Sequence, residues 1–212
     1  MGLEFLDVFE QWADSYDKSV GGHNLEYKEV FAGYEQILEG VTKRSTGFVV
    51  EFGVGTGNLT KKLLDSGLKV TGIEPSIPMR GIANAKLGTK AKILDGDFLH
   101  FPEIRDIDTI VSTYAFHHLT DEEKDEAIAQ YGKLLSKGGR IVFADTMFES
   151  VEDYKNAIVK AREEGLHNLA KDLETEYYTT IPILTRILEK SGFTVSFKRC
   201  NDFVWLMEGE KQ

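Results

Sequence analysis

A few groups of residues in this chain stand at spacings that suit chemistry. The first is Glu51-Phe52-Gly53-Val54-Gly55-Thr56-Gly57-Asn58. Glycines without a side chain let the backbone approach a ligand closely, and the amides that open a following helix attract electron-rich groups such as a carboxylate. The second is Glu74, which ends the run Val70-Thr71-Gly72-Ile73-Glu74 and lies 21 positions after Gly53. A spacing of about 20 is what an acid at the tip of the next strand needs to reach ribose hydroxyls. The third is Tyr114-Ala115-Phe116-His117-His118. A histidine titrates near neutrality and suits removal of a proton from an acceptor. Adjacent histidines at a strand end point in different directions, so at most one of the pair is expected to face a pocket; which one is left open, and capping or packing is the rival role.

These groups must be positioned by regular elements. Phe5, Phe9, Trp12 and Tyr16 recur at helical spacing, as do Tyr27, Val30, Phe31, Tyr34, Ile37 and Leu38, so two amphipathic helices are expected ahead of the core. Short apolar runs then follow at 47–52, 69–73, 91–94, 109–113 and 140–144, separated by helix-like or loop segments. Strands alternating with helices specify an α/β fold, a mostly parallel sheet with helices on both faces. Thr120-Asp121-Glu122-Glu123 fits a capping box that starts one of those helices. A helix-rich insertion is expected over 146–180, then a helix at 183–190. The runs 194–200 and 203–207, joined by Asn201-Asp202, are compatible with an antiparallel hairpin, bringing the sheet to seven strands. The charged stretch 121–126 reads as a solvated helix face.

Composition narrows the function classes. The 212 residues carry 35 Asp and Glu against 25 Lys and Arg, a net charge of -10, with no basic run, which argues against nucleic acid as a partner. The amino terminus carries acid where a secretory signal carries base, and no apolar run is long enough to span a bilayer, so a cytoplasmic protein without membrane association is expected. Cys200, the only cysteine, excludes an internal disulfide and reads as packing. No metal is expected, because neighbouring histidines rarely converge on one ion and no further His or Cys is spaced to complete a site. Asp145, near the end of the fifth strand, would be the carboxylate to join one.

The glycine loop departs from a dinucleotide fingerprint, which wants a small residue at position 58, where this chain has Asn58. Glu51-Phe52-Gly53-Val54-Gly55-Thr56-Gly57 resembles instead motif I of the class I S-adenosylmethionine-dependent methyltransferases, Ile73 to Met79 their second acidic motif, and Asp95-Gly96-Asp97-Phe98 their adenine-binding loop. The stretch 109–140 is similar to their fourth and fifth strand region, and Trp12 to Asp17 to a lid segment. The resemblance covers nearly the whole chain and is nearest to the small YrrT-type bacterial methyltransferases.

That resemblance implies a single Rossmann-like domain: a helical lid over 1–45, a cofactor-binding core over 46–145, a cap over 146–180, and a carboxyl-terminal helix and hairpin over 181–212. It implies Glu51 near the methionine ammonium, Gly53 and Gly55 along the methionine and ribose, and Glu74 on both ribose hydroxyls. Met79 would touch adenosine, Asp97 would accept from the adenine amine, Phe98 would lie against the ring, and Tyr16 would line the cofactor from the lid. His117, His118 and Tyr114 are the candidate acceptor-side residues, with Tyr177 and Tyr178 as further members of an aromatic cap. The expected reaction converts S-adenosylmethionine to S-adenosylhomocysteine while methylating a small molecule, by a monomer or homodimer. Ser112-Thr113-Tyr114-Ala115 stands where amino-methyltransferases of DNA bases carry Asp/Asn-Pro-Pro-Tyr/Phe, which disfavours a nucleobase acceptor. Two other readings of the same residues are a non-catalytic protein that binds S-adenosylmethionine and an NAD(P)-dependent oxidoreductase.

Overall fold

The computed structural model describes residues 17, 20, 21 and 24–212. The expected first helix and Tyr16 lie outside them. The second expected helix begins later than its periodicity suggests: α1 is Tyr34–Arg44, entered from a stretch of turns. The core then alternates as β1 (Phe48–Phe52), α2 (Asn58–Asp65), β2 (Lys69–Ile73), α3 (Ile77–Leu87), β3 (Lys92–Leu94) and β4 (Thr109–Thr113). A short 3-10 turn, Phe116–His118, leads into α4 (Asp121–Leu134) and β5 (Arg140–Phe148). The insertion forms α5 (Val151–Glu163) and α6 (His167–Thr175), followed by β6 (Thr179–Thr180), α7 (Ile181–Lys190), β7 (Phe193–Arg199) and β8 (Val204–Lys211).

The strands order as β3-β2-β1-β4-β5-β8-β7, with β6 paired to β5 off this path. Pairings from β3 through β5 are parallel, and β8 runs antiparallel to both β5 and β7. The seven-stranded Rossmann-like sheet is thus present, with a two-residue strand added. Strand β5 runs past the expected end at 144 because Thr146 pairs with Val204 and Met147 with Thr179.

Side chains alternate across the pleat. Val50 and Phe52 of β1 enter one core with Ala127, Ile128 and Tyr131 of α4 and Leu184 and Leu188 of α7. Val49 enters the opposite core with Ile37, Leu38 and Val41 of α1 and Leu59 and Leu63 of α2. Helices on both faces leave the carboxyl ends of the parallel strands, where ligands of such sheets bind, as the edge that carries the glycine loop, Glu74 and the segment after β4. The capping box forms as expected: Thr120 Oγ1 accepts from the Glu123 amide at 3.2 Å, and Glu123 Oε2 accepts from the Thr120 amide at 3.0 Å. The stretch 121–126 is not a wholly solvated face, because Lys124 is 1% exposed.

Candidate functional site

At the tip of β1 the chain turns through left-handed glycines, Gly53 at φ 67°, Gly55 at 56° and Gly57 at 86°. Their surroundings differ. A Cβ on Gly53 would stand 2.6 Å from Ala115 Cβ, so that glycine lets the loop lie against the segment after β4. A Cβ on Gly55 would meet nothing within 4 Å among the described residues. The loop therefore holds an open cradle of bare backbone at its centre.

Glu74 follows β2 and is 5% exposed. Its Oε2 accepts the Gly55 amide at 2.8 Å and its Oε1 the Ser76 amide at 2.9 Å. The carboxylate thus ties the glycine loop to the start of α3, turned toward the cradle. Burial raises its pKa against the opposing pull of these two amides. Each oxygen keeps a lone-pair site for a further donor. Glu51 lies beneath the loop on the α2 face, fully buried, and accepts Thr60 Oγ1 at 2.6 Å. Burial pushes its pKa up to about 8. Ser112 Oγ, on β4, is buried without a hydrogen-bond partner among the described residues and stands 3.9 Å from where a Gly53 Cβ would be.

Asp17, the last residue of the expected lid segment, docks on this loop. Its carboxylate accepts Thr56 Oγ1 at 2.6 Å, Asn58 Nδ2 at 3.1 Å and Lys86 Nζ at 3.0 Å. Asp97 is committed to its own turn, accepting the amides of Leu99 at 2.7 Å and His100 at 2.9 Å. Met79 is buried in the first turn of α3. Phe98 is 8% exposed. It packs in the core, stacked on Phe52 at 5.5 Å, because Phe116 and Phe143 complete an aromatic cluster there. Only its rim, 4.0 Å from a Gly53 Cβ, reaches the loop.

Beyond β4 the candidates separate. Tyr114 adopts φ 54° and packs its ring on Phe31 at 5.2 Å and Tyr34 at 5.6 Å, with its hydroxyl buried and unpartnered among the described residues. His117 joins a different cluster. Its Nδ1 is 2.6 Å from Asp145 Oδ1, its Nε2 3.1 Å from Glu176 Oε2, and its ring stacks on Tyr178 at 5.0 Å. Burial alone would lower its pKa, but the two carboxylates outweigh that and raise it to about 10. His118 is held the other way, to about 3, by burial and the neighbouring His117.

The premise that neighbouring histidines diverge fails here. The pair sits on a 3-10 turn rather than a strand, with ring centroids 4.0 Å apart. Asp145 forms that turn by accepting the amides of Phe116 at 2.7 Å and His117 at 3.1 Å. Glu176 and Lys124 were not legible as site residues in the sequence. Lys124 Nζ donates to the carbonyls of Leu119 and Tyr177, and the Tyr177 amide donates to the His117 carbonyl, so the insertion is stapled to the β4 tip. Glu123, one position before Lys124, carried the only local signal near this staple, the capping box, and it concerns the helix start alone.

Comparison with known proteins adds the following. A family model described as a methyltransferase domain matches residues 49–139. An uncharacterized methyltransferase of Geobacillus sp. (strain WCH70) is 61% identical over the full length of both chains. One from Bacillus cereus is 58% identical, also over the full length of both. Among solved structures, magnesium protoporphyrin IX methyltransferase from Synechocystis PCC 6803 with bound SAM superposes with a TM-score of 0.68 at 16% identity, over 98% of this chain and 97% of that one. A SAM-dependent methyltransferase from Thermotoga maritima, described as a possible histamine N-methyltransferase, gives 0.69 at 19% identity, over 98% and 100%.

Proposed function

The chain belongs to a family of methyltransferases, and we propose that it is of the class I S-adenosylmethionine-dependent kind and moves the methyl group of S-adenosylmethionine onto a small-molecule acceptor, leaving S-adenosylhomocysteine. The observation that carries this reading is the open glycine cradle at Gly55, tethered by the buried Glu74 carboxylate. The cofactor supplies an activated methyl carbon on a sulfonium, so holding donor and acceptor in line provides much of the acceleration.

The chain's own groups divide that work. The loop backbone at Gly53 and Gly55 receives the aminoacyl part, and Glu51 beneath it offers negative charge to an ammonium. Glu74 keeps its two amide bonds and accepts ribose hydroxyls with its remaining lone pairs. Met79 and the turn at Asp97 border the adenosine side, and Asp17 docks on the loop through Thr56 and Asn58. On the acceptor side, both ring nitrogens of His117 already face carboxylates. His117 therefore fixes the β4 tip rather than accepting a proton. Ser112 Oγ and Tyr114 Oη, without hydrogen-bond partners among the described residues, are polar groups available to orient an acceptor.

Calorimetry with S-adenosylmethionine and the Glu74→Ala variant tests the cofactor site. The expected loss is about 1–3 kcal/mol through an unpaired ribose; unchanged affinity would overturn the assignment. Incubation with isotopically labelled cofactor and a broad metabolite panel, read by mass spectrometry, tests turnover. Tight binding with no labelled product across the panel would favour a cofactor-sensing protein instead.

A further inference from the structure

We infer that His117, His118 and Glu176 form a binding site for one zinc-type divalent metal ion. The three residues come from two distant places in the chain, the 3-10 turn after β4 and the end of α6. Each offers one ligating atom, and all of these lie within 4.8 Å of one another. Glu176 Oε2 is 3.1 Å from His117 Nε2 and 3.9 Å from His118 Nδ1. Ligand atoms around a tetrahedral zinc, with bonds of about 2.0–2.1 Å, stand roughly 3.3 Å apart, so the cluster needs only small side-chain rotations to close on an ion.

The surroundings are arranged as a metal's outer shell would be. His117 Nδ1 faces Asp145 Oδ1 at 2.6 Å. A carboxylate there fixes the ring orientation and aims the other nitrogen at the ion. Asp145 is itself pinned by the amides of Phe116, His117 and Thr146. Tyr178 stacks on His117 and donates its hydroxyl to Glu176 Oε2 at 2.8 Å. Two imidazoles and one carboxylate suit zinc, cobalt or nickel rather than the all-oxygen preference of magnesium and calcium. Three protein ligands leave a fourth position for water or an anionic group. To bind, the ion displaces the proton shared between His117 Nε2 and Glu176, which passes to solvent.

The test uses the full chain, stripped with chelator and titrated with Co(II), then Zn(II). One Co(II) per chain with the strong visible absorption of a four-coordinate site is expected, displaced by Zn(II). Glu176→Gln and His118→Ala should each weaken binding by about a hundredfold or more, whereas His167→Ala on the surface should bind as the parent does. Circular dichroism checks that each variant is folded. Nitrogen NMR of the histidine rings needs no variant, and zinc should move the ring signals of both His117 and His118. Absence of binding at micromolar zinc, unmoved ring signals, or parental affinity in folded Glu176→Gln would overturn the site. Glu74→Ala should retain the ion, which separates failure of this inference from failure of the cofactor assignment.

Discussion

Replacement of Glu51 by glutamine isolates what a buried acid beneath the glycine loop costs and what it contributes. Burial lifts its pKa from 4.5 to about 8, so the folded chain binds this proton more tightly than the unfolded one. The stabilisation from the protonated form is fully present below pH 4.5 and is lost as pH rises through about 8. At about 1.36 kcal/mol per tenfold change in proton affinity, the ionised carboxylate costs on the order of 3–5 kcal/mol. Glutamine keeps the acceptor for Thr60 Oγ1 and never ionises. Urea unfolding of the ligand-free proteins between about pH 5 and about pH 9 is the assay. The parent should lose stability across that range, Glu51→Gln should change much less, and the two should converge at the acid end. Cofactor binding should show the opposite sign: a cationic ammonium favours the ionised acid, so parental affinity rises with pH while Glu51→Gln loses about 1.5–3 kcal/mol. Parallel pH profiles for parent and variant would refute the claim that Glu51 titrates in this window.

Other substitutions separate packing from binding. Gly53→Ala drives a Cβ to 2.6 Å from Ala115 Cβ and should cost about 1–3 kcal/mol in urea unfolding beyond the left-handed penalty. Gly55→Ala meets no neighbour within 4 Å among the described residues, so it should cost only about 1–2 kcal/mol of backbone strain while its methyl fills the cradle and reduces cofactor affinity in calorimetry. Lys124→Met should destabilise by about 1–3 kcal/mol in the same unfolding assay, because the carbonyls of Leu119 and Tyr177 lose their shared donor. Tyr114→Phe removes a buried hydroxyl without a partner among the described residues and should leave unfolding unchanged or improved by up to about 1 kcal/mol; a larger loss would mean that the hydroxyl is bonded.

Where local pattern and chemistry coincide, the sequence was legible. Gly53, Gly55 and Gly57 stand at a strand-to-helix turn that only left-handed backbone completes, and Glu74 follows the next strand by simple counting. The capping box at Thr120 is a four-residue affair that needs no distant partner. The packing of Phe98 was not legible, because its ring partners Phe52, Phe116 and Phe143 come from other elements.

The sequence by itself determined the alternation of strands and helices, the bare loop and the acid that closes on it, since each depends on neighbours a few residues away. Only the tertiary structure decided that His117 meets Asp145 and Glu176, 28 and 59 positions further along, and that Lys124 leaves the solvated face of its own helix for a carbonyl at position 177. Periodicity reports which face of an element is buried. It does not report which charges from other elements are buried with it, and in a low-dielectric interior those charges fix protonation and geometry together.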